Sequence, residues 1–519
     1  MQSDRLKADH SPKAFYWHPF LFALFPMASI YVANASAVEP RSFFLPAFVG
    51  LVIALAIYIC ARLICPDSEK SAVIASWTTA WFFSFGILSK SLDQVNHKIL
   101  GNDSSVHGEY VLLSWGIIWL AVAFWIYGIK RSLKSTNGFL TSMAIALLMI
   151  SALRAGHYWY LEGRDRPIAD SDSWLQPPIE LRTPARPPDI YYLVFDRYAG
   201  PETLLQNYEL DNSKFFEDLR QRGFSVQQES KANYPRTILS MCSALNLSYL
   251  PEHRRSDNYY AKMIDNHTVG RYLKEVGYKY YHFGNWYQPL RSNNIADEVY
   301  ATSILPSEFA ESLYASTPLS KLIRVKHKFD FVTNKLKEVA KVANDEKPTF
   351  VYAHFLLPHT PYVLNSDGSQ LSWAESRYGD PKASYIKQLK GTNKLILEMI
   401  DSILSNSAVT PIIVLQADEG PYLTEETRKL DRKQQILTRA RIFSAFLLPS
   451  DGQESDGRPE VPLSITPVNT FRLIFREYFD SNIDLLSDRI FYWDHADSLG
   501  RPASSCESFV EVTEELVAE

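Results

Sequence analysis

The chain has 519 residues, too many for one ordinary domain, so at least two structural units are expected. A net charge of −5 with no Lys/Arg-rich block argues against a nucleic-acid partner. Four cysteines with no CxxC pair argue against a disulfide scaffold and against a cysteine zinc site.

The N-terminal third is apolar. Ala14–Val38, Ser42–Ala61, Ser71–Ser89, Tyr110–Ile129 and Ser135–Leu153 all lack Asp, Glu, Lys and Arg. Each approaches the roughly 20 residues that a helix needs to cross a hydrocarbon core. Trp17, Trp115, Tyr127 and Trp159 near the ends suit the membrane interface. Residues 1–160 therefore read as a membrane domain of five transmembrane helices. No run has the short apolar core and small-residue cleavage site of a removable signal. Arg5, Lys7 and Lys13 precede the first run, Arg62 and Lys70 follow the second, and Lys130, Arg131 and Lys134 follow the fourth. The positive-inside rule then puts the N-terminus in the cytoplasm and the C-terminal two-thirds outside. None of the four charged residue types lies mid-span, so an anchor is expected rather than an ion pathway.

Residues 161–188 read as a linker. The stretch "RDRPIADSDSWLQPPIELRTPARPP" carries six prolines and no apolar period. Residues 189–519 then alternate short apolar runs with helical spacing. The strand candidates are "DIYYLVFD" (189–196), "YKYYHFG" (278–284), "TFVYAHFLL" (349–357), "PIIVLQAD" (411–418) and "IFSAFLLP" (442–449). Tyr385, Leu389, Thr392, Leu395, Ile396, Met399, Ile400, Ile403 and Leu404 repeat at i, i+3 and i+4, as one face of a helix does. This pattern predicts an α/β domain with a mostly parallel central sheet. Ligands of such sheets collect beyond the carboxyl ends of the strands, where Asp196 and Asp418 both fall.

Two stretches could supply chemistry there. "VLQADEGPY" (414–422) ends a buried strand in the adjacent carboxylates Asp418 and Glu419. They are either cation ligands or loop residues facing water. "NYPRTILSMC" (233–242) reads as a loop followed by a helix starting near Thr237. A hydroxyl in that first turn either caps the helix or meets an anion at its positive end. His354 lies inside an apolar run, where a core histidine and a site residue are both open readings. His359 falls in a loop beyond the strand, between Pro358 and Thr360. His495, in "YWDHADS", has acidic neighbours and reads as exposed. Cys60 and Cys65 read as small hydrophobes, whereas Cys242 and Cys506 could pair in an oxidising compartment.

In this order the segments resemble the membrane-anchored branch of the alkaline phosphatase/sulfatase superfamily, which includes lipoteichoic acid synthases and phosphoethanolamine transferases. The similarity runs from about Asp189 to Phe491. "YYLVFDRYAG" looks like the first metal strand, with Asp196 as ligand, and "NYPRTILS" like the nucleophile segment, with Thr237 as nucleophile. "HFLLPHTPY" looks like the segment that brings a substrate-binding histidine, here His359. "IIVLQADEGP" looks like the second metal strand, and "ITPVNTFRLIFREYF" (465–479) like the family's closing helix.

The resemblance implies a phosphotransferase that moves a phospholipid head group through Thr237 to an envelope glycan or lipid. Phosphodiester hydrolysis, or a non-catalytic membrane scaffold with a degenerate site, are its alternatives. It also implies one divalent cation held by Asp196, Thr237, Asp418 and Glu419, and a catalytic domain outside a bacterial cytoplasmic membrane. All-oxygen ligation would favour Mn²⁺ or Mg²⁺ over Ca²⁺ or Zn²⁺. One departure stands out: that branch usually reads Asp-His-Gly where this chain reads Asp418-Glu419-Gly420. Formylglycine chemistry is not expected, because Cys242 is followed by "SAL" and not by x-Pro-x-Arg.

Overall fold

The computed structural model describes residues 15–35, 40–100, 108–164, 179–251, 257–300, 308–322, 327–342, 347–372, 375–376, 379–450, 458–493 and 509–517. His495, Cys506, Arg5, Lys7, Lys13 and most of the Pro-rich linker lie outside them. Contacts divide the chain into two units: Met1–Arg164 with Pro306–Arg324, and Asp165–Leu305 with Val325–Glu519. The sequence had assigned 306–324 to the C-terminal domain. Here it groups with the apolar helices.

The first unit contains α1 (His18–Ala33), α2 (Phe44–Ile64), α3 (Ser68–Leu100), α4 (Gly108–Gly128) and α5 (Lys134–Arg164). α2 to α5 are long and apolar enough to cross a membrane. α1 has 16 residues, about 24 Å of helix against a core of about 30 Å. The expected five long spans are thus four long helices and one shorter one. Polar groups hold their ends together: buried His18 meets Ser76 Oγ (2.5 Å) through Nδ1 and Asn137 Oδ1 (2.8 Å) through Nε2, joining α1, α3 and α5.

The helix Glu308–Ala315 joins this unit by packing Leu313 among Ala23, Met27, Ala54 and Phe83. At Gly86 in α3 a Cβ would lie 2.4 Å from Ala315 O and 2.6 Å from Ser316 Cα, so only glycine admits the approach. Gly86→Leu should dislodge the 308–322 segment, at a cost of about 1–3 kcal/mol from overpacking. Faster proteolysis within 308–322, with α3 intact, is the expected readout; an unchanged cleavage pattern would refute it.

The second unit is built on a seven-stranded sheet of order β2-β7-β6-β1-β5-β3-β4. Its strands are β1 (Ile190–Phe195), β2 (Ser225–Gln227), β3 (Lys279–Phe283), β4 (Glu298–Val299), β5 (Thr349–Phe355), β6 (Ile412–Gln416) and β7 (Ser444–Leu447). Only β7 runs against the others. The sheet is mostly parallel, as the apolar runs predict, and the short edge strands β2 and β4 are additions.

Side chains alternate across a strand, so residue parity sorts the sheet into two faces. Odd positions such as Leu193, Phe195, Ala353, Phe355 and Leu415 pack under the helix Pro381–Asn406. Asp380 caps that helix by accepting from Ala383 N–H, with Pro381 at its first position. Even positions such as Tyr192, Val194, Tyr352 and Val414 pack under the helices Thr237–Leu245 and Thr470–Tyr478. The chemistry lies on the even face.

Candidate metal centre and active site

The even rows 190–192–194, 350–352 and 412–414–416 each run on, at the carboxyl end of the sheet, into a polar residue. Those residues are Asp196, His354 and Asp418. Val194 pairs with His354 and with Gln416, so the three side chains reach the same end of neighbouring strands. One ligand atom from each lies within 4.8 Å of the others, and all three residues are buried. Asp196 Oδ1, His354 Nε2 and Asp418 Oδ2 have no hydrogen-bond partner. His354 Nε2 and Asp418 Oδ2 lie 3.5 Å apart and Asp196 Oδ1 lies 3.9 Å from Arg197 Nε, too far for good hydrogen bonds, and such under-satisfied buried atoms are costly unless a cation completes them.

The ionic state points the same way. Burial, then the neighbouring Asp418 charge, holds the Asp196 carboxyl well above the usual carboxylate range. Burial also opposes charge on Asp418, yet His354, Thr237 and Arg197 keep it ionised, down to about 2. Two adjacent buried carboxylates resist being charged together, and a cation removes that conflict. The residues present therefore fit a divalent cation.

His354 is the residue that sequence reasoning left open. Its signal was parity: it continues the row of Phe350 and Tyr352, as Asp196 and Asp418 continue theirs. Asn285 Nδ2 donates to its Nδ1 (2.9 Å), while Asn285 Oδ1 accepts from Tyr287 N–H (2.8 Å). The buried Lys335 Nζ donates to the carbonyls of His354 (2.6 Å) and Gly284 (2.8 Å), tying the ends of β5 and β3 together, while burial holds its pKa well below the usual lysine range. An imidazole that ligates through Nε2 carries its proton on Nδ1, the atom that faces Asn285 as an outer partner. With a nitrogen in the set, the all-oxygen premise for disfavouring zinc falls away.

Thr237 is the first residue of its helix, half-buried, after an extended Arg236 (φ −140°, ψ 137°) that makes no side-chain cap. The capping alternative is thereby removed. Its Oγ1 donates to Glu419 Oε1 (3.4 Å) and also favours the charged form of Asp418.

Glu419, expected as a ligand, stands apart from the group of three. Its Oε1 pairs with Arg197 Nη2 (2.8 Å) and its Oε2 with Arg439. Arg197 has a left-handed backbone (φ 62°), and its N–H donates to Asp418 Oδ1 (3.2 Å). Such a conformation in a non-glycine residue costs about 1–3 kcal/mol and persists where surroundings impose it. Burial opposes the Arg197 charge, but Glu419, Tyr422, Asp196 and Asp418 raise its pKa further. At Gly420 a Cβ would lie 2.6 Å from the carbonyl oxygens of both Thr438 and Arg439, which explains the glycine.

His359 reaches the same turn from the other side, its Nε2 3.1 Å from Tyr422 Oη. Burial, then Arg197, lowers its pKa to about 3, so it is neutral near pH 7. The Tyr422 ring lies 3.5 Å from the Arg197 guanidinium carbon. Arg236 is occupied elsewhere, forking onto Asp257 at 3.0 and 2.6 Å.

Residues 188–467 match the sulfatase family, a span that covers β1 to β7 and every residue of this site. The chain belongs to the sulfatase family. No curated protein matches its sequence. Among solved structures, this sulfatase-family chain is similar to the lipooligosaccharide phosphoethanolamine transferase A (EptA) of Neisseria meningitidis. The identity is 10%, covering 90% of this chain and 96% of that one, with a TM-score of 0.37. The zinc-bound periplasmic domain of Escherichia coli EcEptC is 14% identical, with 59% and 88% covered and a TM-score of 0.38. A protein of the alkaline phosphatase superfamily from Vibrio parahaemolyticus is 11% identical, with 64% and 79% covered and a TM-score of 0.39.

Proposed function

We propose that this sulfatase-family chain is a membrane-anchored, cation-dependent phosphotransferase. It takes a phospholipid head group as its phosphoryl donor and passes it to an envelope glycan or lipid on the outer side of the membrane. The observation that carries this reading is the convergence of three buried atoms without hydrogen bonds, from Asp196, His354 and Asp418, beside the half-buried Thr237 hydroxyl at a helix N-terminus. Phosphoryl transfer asks for little more than positioning and charge stabilisation.

When bound, a divalent cation supplies Lewis acidity to the donor's non-bridging oxygen and lowers the pKa of the nucleophile. The protein's own residues do the rest. Thr237 Oγ1 forms the bond to phosphorus as the bond from phosphorus to the diacylglycerol oxygen breaks. Net, one proton moves from Thr237 to that oxygen. The first-turn N–H groups of the Thr237 helix face the developing negative charge. His359, neutral and linked to Tyr422, hydrogen-bonds the head group. An acceptor hydroxyl then displaces Thr237 and returns a proton to it. The apolar helices tether the chain to the membrane that carries the lipid donor, which raises effective concentration.

The test uses the full chain in vesicles containing head-group-labelled phosphatidylethanolamine, phosphatidylglycerol or phosphatidylcholine, with Mn²⁺, Mg²⁺ or Zn²⁺. Release of unlabelled diacylglycerol, with the label moved to an added envelope glycan or lipid acceptor, is expected. Free phosphorylated head group in place of labelled acceptor would assign a hydrolase. No cleavage of any donor would refute the reading.

A further inference from the structure

Glu419 is the carboxylate of the site whose two oxygens each meet a guanidinium. Oε1 meets Arg197 Nη2 at 2.8 Å and receives Thr237 Oγ1 at 3.4 Å, while Oε2 meets Arg439. Asp196, His354 and Asp418 each keep one buried atom without a hydrogen bond, and these atoms face one another rather than Glu419. Glu419 is buried, and its two guanidinium partners are nearly so.

Each arginine carries the link to another segment. Arg439 donates to Gly420 O (3.0 Å), Pro421 O (3.2 Å) and Pro235 O (2.9 Å), so it binds the 418–422 turn to the residues just before Thr237. Arg197 follows Asp196 directly, donates to Gly420 O (3.4 Å) and stacks on Tyr422. Glu419 thus joins the end of β1, the end of β6 and the start of the Thr237 helix.

We propose that Glu419 is a positioning residue: it anchors Arg197 and Arg439, aims the Thr237 hydroxyl at the three-residue cation site, and is not itself a ligand. The inference rests on the phosphotransferase reading for Thr237, but its cation arm does not. A buried carboxylate between two buried guanidiniums is already neutralised, and adding it to a cation would strip both arginines of their partner. Asp196, His354 and Asp418 supply three ligands, and the Thr237 hydroxyl can complete the set.

Glu419→Gln and Glu419→Asp are compared with Asp418→Asn in the full-length protein in detergent. Mn²⁺ and Zn²⁺ binding is read by calorimetry, and turnover with a chromogenic phosphodiester. Both Glu419 variants should keep about one cation per chain, with dissociation constants changed less than about tenfold, the lower edge for an outer partner. Asp418→Asn should lose the cation. Turnover in Glu419→Gln should fall about 10²-fold in kcat, as for a nucleophile displaced by about an ångström. Arg439→Met should fall similarly, and the double variant no further, because the two act through one link. Glu419→Asp keeps the charge and should recover part of the loss.

Cation loss in Glu419→Gln as severe as in Asp418→Asn would make Glu419 a ligand and overturn the proposal. So would additive effects of Glu419→Gln and Arg439→Met. If the wild type binds cation but turns over no phosphodiester, the function is what fails, and the binding comparison still decides whether Glu419 ligates.

Discussion

Thr237→Ala should lower phosphodiester turnover by roughly 10⁴-fold or more while leaving the protein folded and cation-bound. Losses of this size follow removal of a nucleophile that works as part of a unit. The side chain does little for stability: its helix begins without a side-chain cap, and its hydrogen bond to Glu419 is 3.4 Å long. The loss therefore belongs to chemistry rather than to folding. Thr237→Ser keeps the hydroxyl and should retain measurable turnover. Intact mass spectrometry of the wild type, quenched during turnover, should show a phosphoryl adduct that Thr237→Ala lacks. An alanine variant within tenfold of wild type would remove Thr237 from the reaction.

Asp418→Asn should abolish stabilisation by divalent cations. In the wild type, a cation at about 100 times its dissociation constant adds about 2.7 kcal/mol to stability. Asp418 Oδ1 already accepts from the N–H groups of Arg197 (3.2 Å) and Glu419 (2.9 Å), so Oδ2, 3.5 Å from His354 Nε2, is the oxygen that an ion would take. An asparagine amide supplies at most a neutral oxygen there. Thermal melts with Mn²⁺, Mg²⁺, Ca²⁺ and Zn²⁺ give the comparison. A clear upward shift in the wild type, absent in the variant, is expected. Equal shifts in both proteins would place the ion elsewhere. Zinc belongs in this series because of His354: two carboxylates and an imidazole suit it as well as they suit manganese.

Much of this site was legible because it follows local rules. Apolar runs of seven to nine residues pointed to β1, β3, β5, β6 and β7, and the 3.6-residue repeat from Tyr385 to the long covering helix. Asp196 and Asp418 were found as strand-ending carboxylates. His354 obeys the same two-residue alternation, but it sits within its strand rather than beyond it, so composition made it look like core.

What local rules could not reveal was tertiary pairing. Glu419 adjoins Asp418 in sequence and looks like its partner in ligation. Its actual partners are Arg197, 222 residues earlier, and Arg439, on a separate helix. No period or spacing encodes that choice. Similarly, "EFAESLYASTPL" has the composition of an ordinary surface helix, and only the glycine at position 86 hints that a backbone approaches there.

That segment alters how the molecule can be taken apart. The chain passes from one unit to the other three times, after residues 164, 305 and 324. A single protease cut near residue 165 therefore leaves the two pieces held together by packing alone, through Leu313 among Ala23, Met27 and Phe83. A fragment starting there would carry 308–322 away from Ala23, Met27 and Phe83, leaving Leu313 without its apolar neighbours. Such a fragment would be expected to self-associate or to seek detergent, even though it contains none of the four long apolar helices.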